Sequence, residues 1–176
     1  MKKQIFFFSL IALSAHTMYG MDSETILRTM ISTHTRAFDK KNTYEERINN
    51  GYVNNFNIVI DETEKFVVNN SDKHKKQLLT YFYHIKNANY QTVNEIKLIY
   101  GQLKDGKTTN ALYQQEAPVF SAIDTNMQNI KNQLKLMTST EKNETQAIRL
   151  VSALATLIGV IARKAKNDLG ALPKLD

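Results

Sequence analysis

Lys73, Lys75, Lys76, Lys86 and Lys97 share one stretch of sequence with Tyr83 and Tyr90. From residue 71 to residue 110 there are seven lysines against three acidic residues, Asp72, Glu95 and Asp105. Ammonium groups interleaved with aromatic rings can hold an anionic polymer or a surface of lipid head groups. The same residues also suit a solvated face whose tyrosines bury their rings and wet their hydroxyls. These seven side chains are the candidate surface for an anionic partner, either a protein or a charged surface.

Other chemistry-bearing patterns are weaker. Gly101-Gln-Leu-Lys-Asp-Gly106-Lys107-Thr108 has the spacing of a phosphate-binding Gly-x4-Gly-Lys-Thr loop. That loop has to follow a buried strand, and here an amphipathic helical pattern precedes it. A nucleotide-binding enzyme is therefore the remotest alternative. Among the histidines, His34, His74 and His84 follow Ile31, Ser71 and Tyr81 by three, so the Glu-x-x-His pairs of helical di-metal sites are absent. His74 and His84 would stand about 15 Å apart along a helix, too far to share an ion. Pairing any histidine with Met30, Met127 or Met137 gives no specific haem signal. The chain has no cysteine, which removes disulfides, thiolate metal sites and cysteine nucleophiles. No Gly-x-Ser-x-Gly elbow occurs. Adjacent carboxylates such as Glu45–Glu46 and Asp61–Glu62 diverge by about 100° on a helix and read as solvated faces. No cofactor or metal is expected, and the balance leans away from an enzyme.

The elements that carry these residues read as helices. Ile26, Leu27, Met30, Ile31, Ala37 and Phe38 recur at helical spacing over residues 23–40, with Asp22 or Ser23 as cap. Thr43-x-x-Glu46 is a capping box for a second helix, although Phe56–Ile60 and Phe66–Val68 leave a short strand open. Ser71 or Asp72 can cap a third, with Leu78, Leu79, Phe82 and Ile85 as its apolar stripe. Asn87-Ala88-Asn89 and a further box at Thr92-x-x-Glu95 leave open whether residues 72–104 form one helix or two. Asp105-Gly106-Lys107-Thr108 is the clearest turn. Pro118 suits the first turn of a helix, followed by Val119, Ile123, Met127, Ile130, Leu134 and Met137 at heptad-like spacing.

The last helix is expected from Glu141 to about Leu169, stopped by Gly170 and Pro173. Its run Leu150–Ala162 is apolar nearly all round, flanked by Arg149 and Arg163. Thirteen residues rise about 20 Å, short of the ~30 Å of a bilayer core, so a buried central helix is the first reading. The alternative is a membrane-active protein that releases this run, aided by Lys164 and Lys166, with Ala155-x-x-x-Gly159 allowing close helix contact.

Residues 1–20 have the parts of a secretory signal: Lys2 and Lys3, an apolar run from Ile5 to Ala15, and small residues before a cut. Cleavage after Ser14 would use Ala12 and Ser14. Cleavage after Gly20 places bulky Met18 two residues upstream of that glycine. Hydrophobic residues make up 42% and formal charge is +6, so residues 21–176 have enough apolar content for a core. Taken together, the sequence predicts an all-α chain: a signal peptide at 1–20, then one domain at 21–176, an antiparallel bundle of four to five long helices. The expected role is secreted or periplasmic binding, without nucleic acid as partner. Asn69-Asn70-Ser71 and Asn143-Glu144-Thr145 also fit the N-glycosylation pattern, as chance allows in an Asn-rich chain.

Overall fold

The structure, a computed structural model, describes residues 21–37, 54–106 and 108–171. Five helices and no strand occur among the described residues. They are α1 (Ser23–Ala37), α2 (Asn54–Asn70), α3 (Lys75–Lys104), α4 (Thr109–Lys135) and α5 (Lys142–Ala171). The capping box at Thr43–Glu46 lies outside the described residues.

Local chemistry sets the helix ends. The Asp22 carboxylate caps α1 by accepting the Thr25 N–H at 2.7 Å. Ser71 does not cap α3. Its hydroxyl donates back to the Val67 carbonyl and closes α2 instead. The residue before α3 is His74, whose side chain makes no cap bond. Gly106 ends the α3 turn with φ +83°, a left-handed conformation that glycine takes without strain. Thr108 then caps α4, its hydroxyl oxygen accepting the Ala111 N–H at 3.4 Å.

Packing decides the segments that propensity left open. Residues 56–68 are helical, because Phe56, Val59, Ile60 and Val67 all reach the core at helical spacing. Residues 75–104 form one helix, not two. The buried stripe Leu78, Phe82, Ile85, Asn89, Val93, Ile96 and Ile99 keeps its phase through the polar stretch. Thr92 is therefore interior and no cap; its hydroxyl donates to the Ala88 carbonyl at 2.8 Å. Pro118 is likewise interior to α4, not in its first turn. It sits on the exposed side, so the carbonyl its missing N–H would have met belongs to exposed Gln114. Gly170 does not stop α5, which runs on to Ala171. A Cβ at 170 would meet the Tyr113 ring at 2.9 Å, so glycine there lets α4 approach.

α5 packs against all four other helices, most extensively against α4. Its Leu150, Leu154 and Ile158 are fully buried with Phe56, Phe82 and Phe120. Gly159 also serves a close approach to α4: a Cβ there would meet Asp124 Oδ1 at 3.0 Å and Met127 Cβ at 3.2 Å. One turn on, Arg163 grips Asp124 with two bonds, Nε to Oδ2 and a terminal nitrogen to Oδ1, each 2.9 Å. Lys166 donates to the Ser121 hydroxyl at 2.9 Å, and Lys164 pairs with Asp168 at 2.8 Å.

Candidate functional site

The seven candidate residues fall on or just before α3. At about 100° per residue, Lys75, Lys86, Lys97, Tyr90, Tyr83 and Lys76 share an arc of about 100° along a rise of about 33 Å. Lys73 precedes the helix in the connecting turn. Tyr83 and Tyr90 are 47% and 50% exposed, enough ring to meet a partner. Lys76 and Lys97 are exposed beside them.

Two of the seven also hold the fold together. Glu64 of α2 accepts the Tyr83 hydroxyl at 2.7 Å on one oxygen and the Lys86 ammonium at 3.1 Å on the other. Burial alone would push the Glu64 carboxyl up, but those two donors outweigh it and hold the carboxyl below its ordinary value. Lys86 also lies 5.9 Å over the Phe82 ring. Lys75 is 4.0 Å from Asp72. Among the described residues, no ion pair engages Lys73, Lys76 or Lys97. The face is therefore a mixed-charge strip with lysines at its ends and a Glu64-centred clasp at its middle.

A second feature was not found from sequence. The end of α2, the turn into α3, the α4–α5 connection and the first turn of α5 enclose a cleft of about 610 Å³. Its lining residues are all of polar type and include Asn69, Asp72, Lys73, Ser139, Asn143 and Glu144. Both asparagines of the glycosylation patterns open onto it. Glu144 is only 3% exposed, unusual for a carboxylate. It accepts the His74 backbone N–H at 2.9 Å, tying the start of α3 to the start of α5. The His74 ring nitrogen Nδ1 lies 3.3 Å from the same oxygen, close enough for attraction when the ring is protonated but outside hydrogen-bond alignment. The Ser139 hydroxyl and the His74 backbone N–H, with the His74 ring close by, overcome the cost of burial and hold the Glu144 carboxyl below its ordinary value. The positive end of α5 favours the same charge. Glu144 thus replaces the missing side-chain cap of α3. The only sequence signal for it was an acid near a helix start, which says nothing of a partner seventy residues away.

This linkage has a pH consequence. Glu62, Glu64, Asp124 and Glu144 all have lowered pKa values in the folded chain. Each binds its proton more readily when unfolded, so each contributes stability above its unfolded value, near 4.5 for glutamate and 3.8 for aspartate. That stability is lost as pH falls through the lower, folded values. The melting temperature is expected to drop steadily below about pH 4.5 and to be flatter in Glu144→Gln, which thermal melts across pH 2–6 would show.

Of the Gly101–Thr108 stretch, Lys107 lies outside the described residues. Residues 101–104 are helical, so their amides serve the helix ladder and none faces a ligand together with Gly106. Among the described residues no group of three or more metal-ligating side chains comes together. No protein-family model matches this chain, and no curated protein or solved structure matches it either.

Proposed function

We propose that the chain is an exported helical-bundle protein that performs no chemistry and binds an acidic protein through the exposed face of α3. The observation that carries this is the strip itself: four lysines and two half-exposed tyrosines within one arc of a single rigid helix. Rigid aromatic rings flanked by charges are a common anchor in protein recognition. The negative Glu64 and Asp61 beside Lys86 favour a protein over an anionic bilayer. A bilayer responds to net charge, which these carboxylates reduce, whereas a protein surface can match an alternating pattern.

The test uses an immobilised glutamate-rich polypeptide as probe. Wild-type protein should be retained at low salt and released as salt rises. Lys75→Glu/Lys76→Glu/Lys97→Glu should lose retention. The equal charge change Lys135→Glu/Lys142→Glu/Arg149→Glu, made away from this strip, should keep most of it. Equal loss in both variants would show a response to net charge alone and would remove the α3 reading.

The membrane-active alternative has one supporting fact: Lys142–Gly170 is long and apolar enough to cross a bilayer. Its apolar residues, however, are packed against the other helices. Arg163 and Lys166, two of the four charges expected to assist insertion beside Arg149 and Lys164, are bonded to Asp124 and Ser121 of α4. Anionic vesicles loaded with dye are accordingly expected to stay sealed when the protein is added. Dye release at neutral pH would revive the alternative.

A further inference from the structure

The amide nitrogen of Met21 lies 2.9 Å from Glu62 Oε2, a contact between the entry of α1 and the middle of α2. The other oxygen of the same carboxylate, Oε1, accepts the Lys65 ammonium at 2.6 Å. The Glu62 side chain is only 13% exposed, while Lys65 is mostly in water. A shielded carboxylate oxygen is thus reserved for the nitrogen of residue 21. The next residue, Asp22, caps α1, and Ile26 and Met30 of α1 are buried in the core. The position of the Met21 nitrogen is therefore set by the helix that follows it.

Residue 21 is also the first residue after one of the two cuts the sequence allows. We propose that Gly20–Met21 is the processing site, and that Glu62 is the built-in receptor for the new N-terminus. This rests on the export reading above. Hydrolysis by an exporting peptidase adds one water: Gly20 leaves with a carboxylate and Met21 keeps the amine, which takes up a proton as an ammonium. The neutral N–H···carboxylate bond then becomes a charge-assisted one at the same place, between groups already 2.9 Å apart. Maturation fastens α1 onto α2 without moving either helix. Cleavage after Ser14 would leave Met21 as an internal amide and give Glu62 no such partner. Burial opposes ionisation of Glu62, yet Lys65 and the Met21 N–H keep its carboxyl below the ordinary value, so it is charged and ready to receive an ammonium.

The experiment starts with the full chain expressed in a host that exports it, and the N-terminus of the exported product sequenced. The expected product begins Met-Asp-Ser-Glu-Thr. An exported product beginning at Ala15 overturns this proposal and leaves export standing. A product retained in the cell with Met1 intact overturns both. On the processed protein, acylation of the N-terminal amine is then followed against pH for wild type and Glu62→Gln, a variant that keeps the shape and an acceptor. An ordinary α-amino group titrates near 7.7–8.0, and a rise of one unit cuts the reactive fraction at pH 7 about tenfold. Wild type should react that much more slowly than Glu62→Gln. Equal rates in two folded proteins would overturn the receptor role.

Discussion

Leu154→Ala is expected to lower the stability of the folded chain by about 2–5 kcal/mol, a large share of what a domain of this size possesses. Leu154 is fully buried on α5, the helix that touches every other. Truncation removes contacts on several sides, and five converging helices have little freedom to collapse into the gap. Urea denaturation followed by circular dichroism would report it as a lower midpoint with an unchanged slope. The result also separates the two readings of α5. A residue held in reserve for lipid would lose little in water, so a change below about 1 kcal/mol would count against the buried-helix account.

Gly159→Val is the second large effect expected, about 1–3 kcal/mol of destabilisation from overpacking. The first added carbon already falls 3.0 Å from Asp124 Oδ1 and 3.2 Å from Met127 Cβ. The Met127 atom is next to the backbone and cannot swing away, and Asp124 is held by Arg163. Valine's further methyls have to push α4 and α5 apart or break that clamp. Gly101→Ala is the matched comparison, since a Cβ there meets nothing within 4 Å. It should instead stabilise α3 by up to about 1 kcal/mol through helix propensity. Opposite shifts of the two midpoints in the same denaturant series would establish that contact with α4 governs position 159.

The helical class was legible because apolar residues recur at helical spacing through every described element. Ile26 and Met30, Leu78 and Phe82, and Leu150 and Leu154 all occupy the core as their spacing implies. Gly106 and Thr108 mark the α3–α4 turn as turn chemistry requires. Where local signals left two readings open or pointed elsewhere, packing decided. Thr92 and Glu95 form a good capping box in isolation, but the stripe on either side keeps a single phase, so the helix continues through them. Pro118 is tolerated inside α4 because it faces water. Ala155-x-x-x-Gly159 entered only the membrane alternative, and in this structure Gly159 lies close against α4 of the bundle. For the sites, the α3 strip followed from periodicity once residues 75–97 formed one helix. The Glu144–His74 tie and the Met21–Glu62 contact did not follow, because each joins segments far apart in sequence. Nothing in either segment alone names the other.

The central claim is that recognition uses the exposed face of α3, and solvent protection of its two tyrosines tests it most directly. Tyr83 and Tyr90 are accessible on that face, whereas Tyr81 and Tyr113 pack against the core. Iodination of the protein, free and saturated with a glutamate-rich polypeptide, would be mapped tyrosine by tyrosine. The account predicts slower modification at Tyr83 and Tyr90 in the complex, with Tyr81 and Tyr113 unchanged. A bound complex in which Tyr83 and Tyr90 react as fast as in the free protein would contradict it.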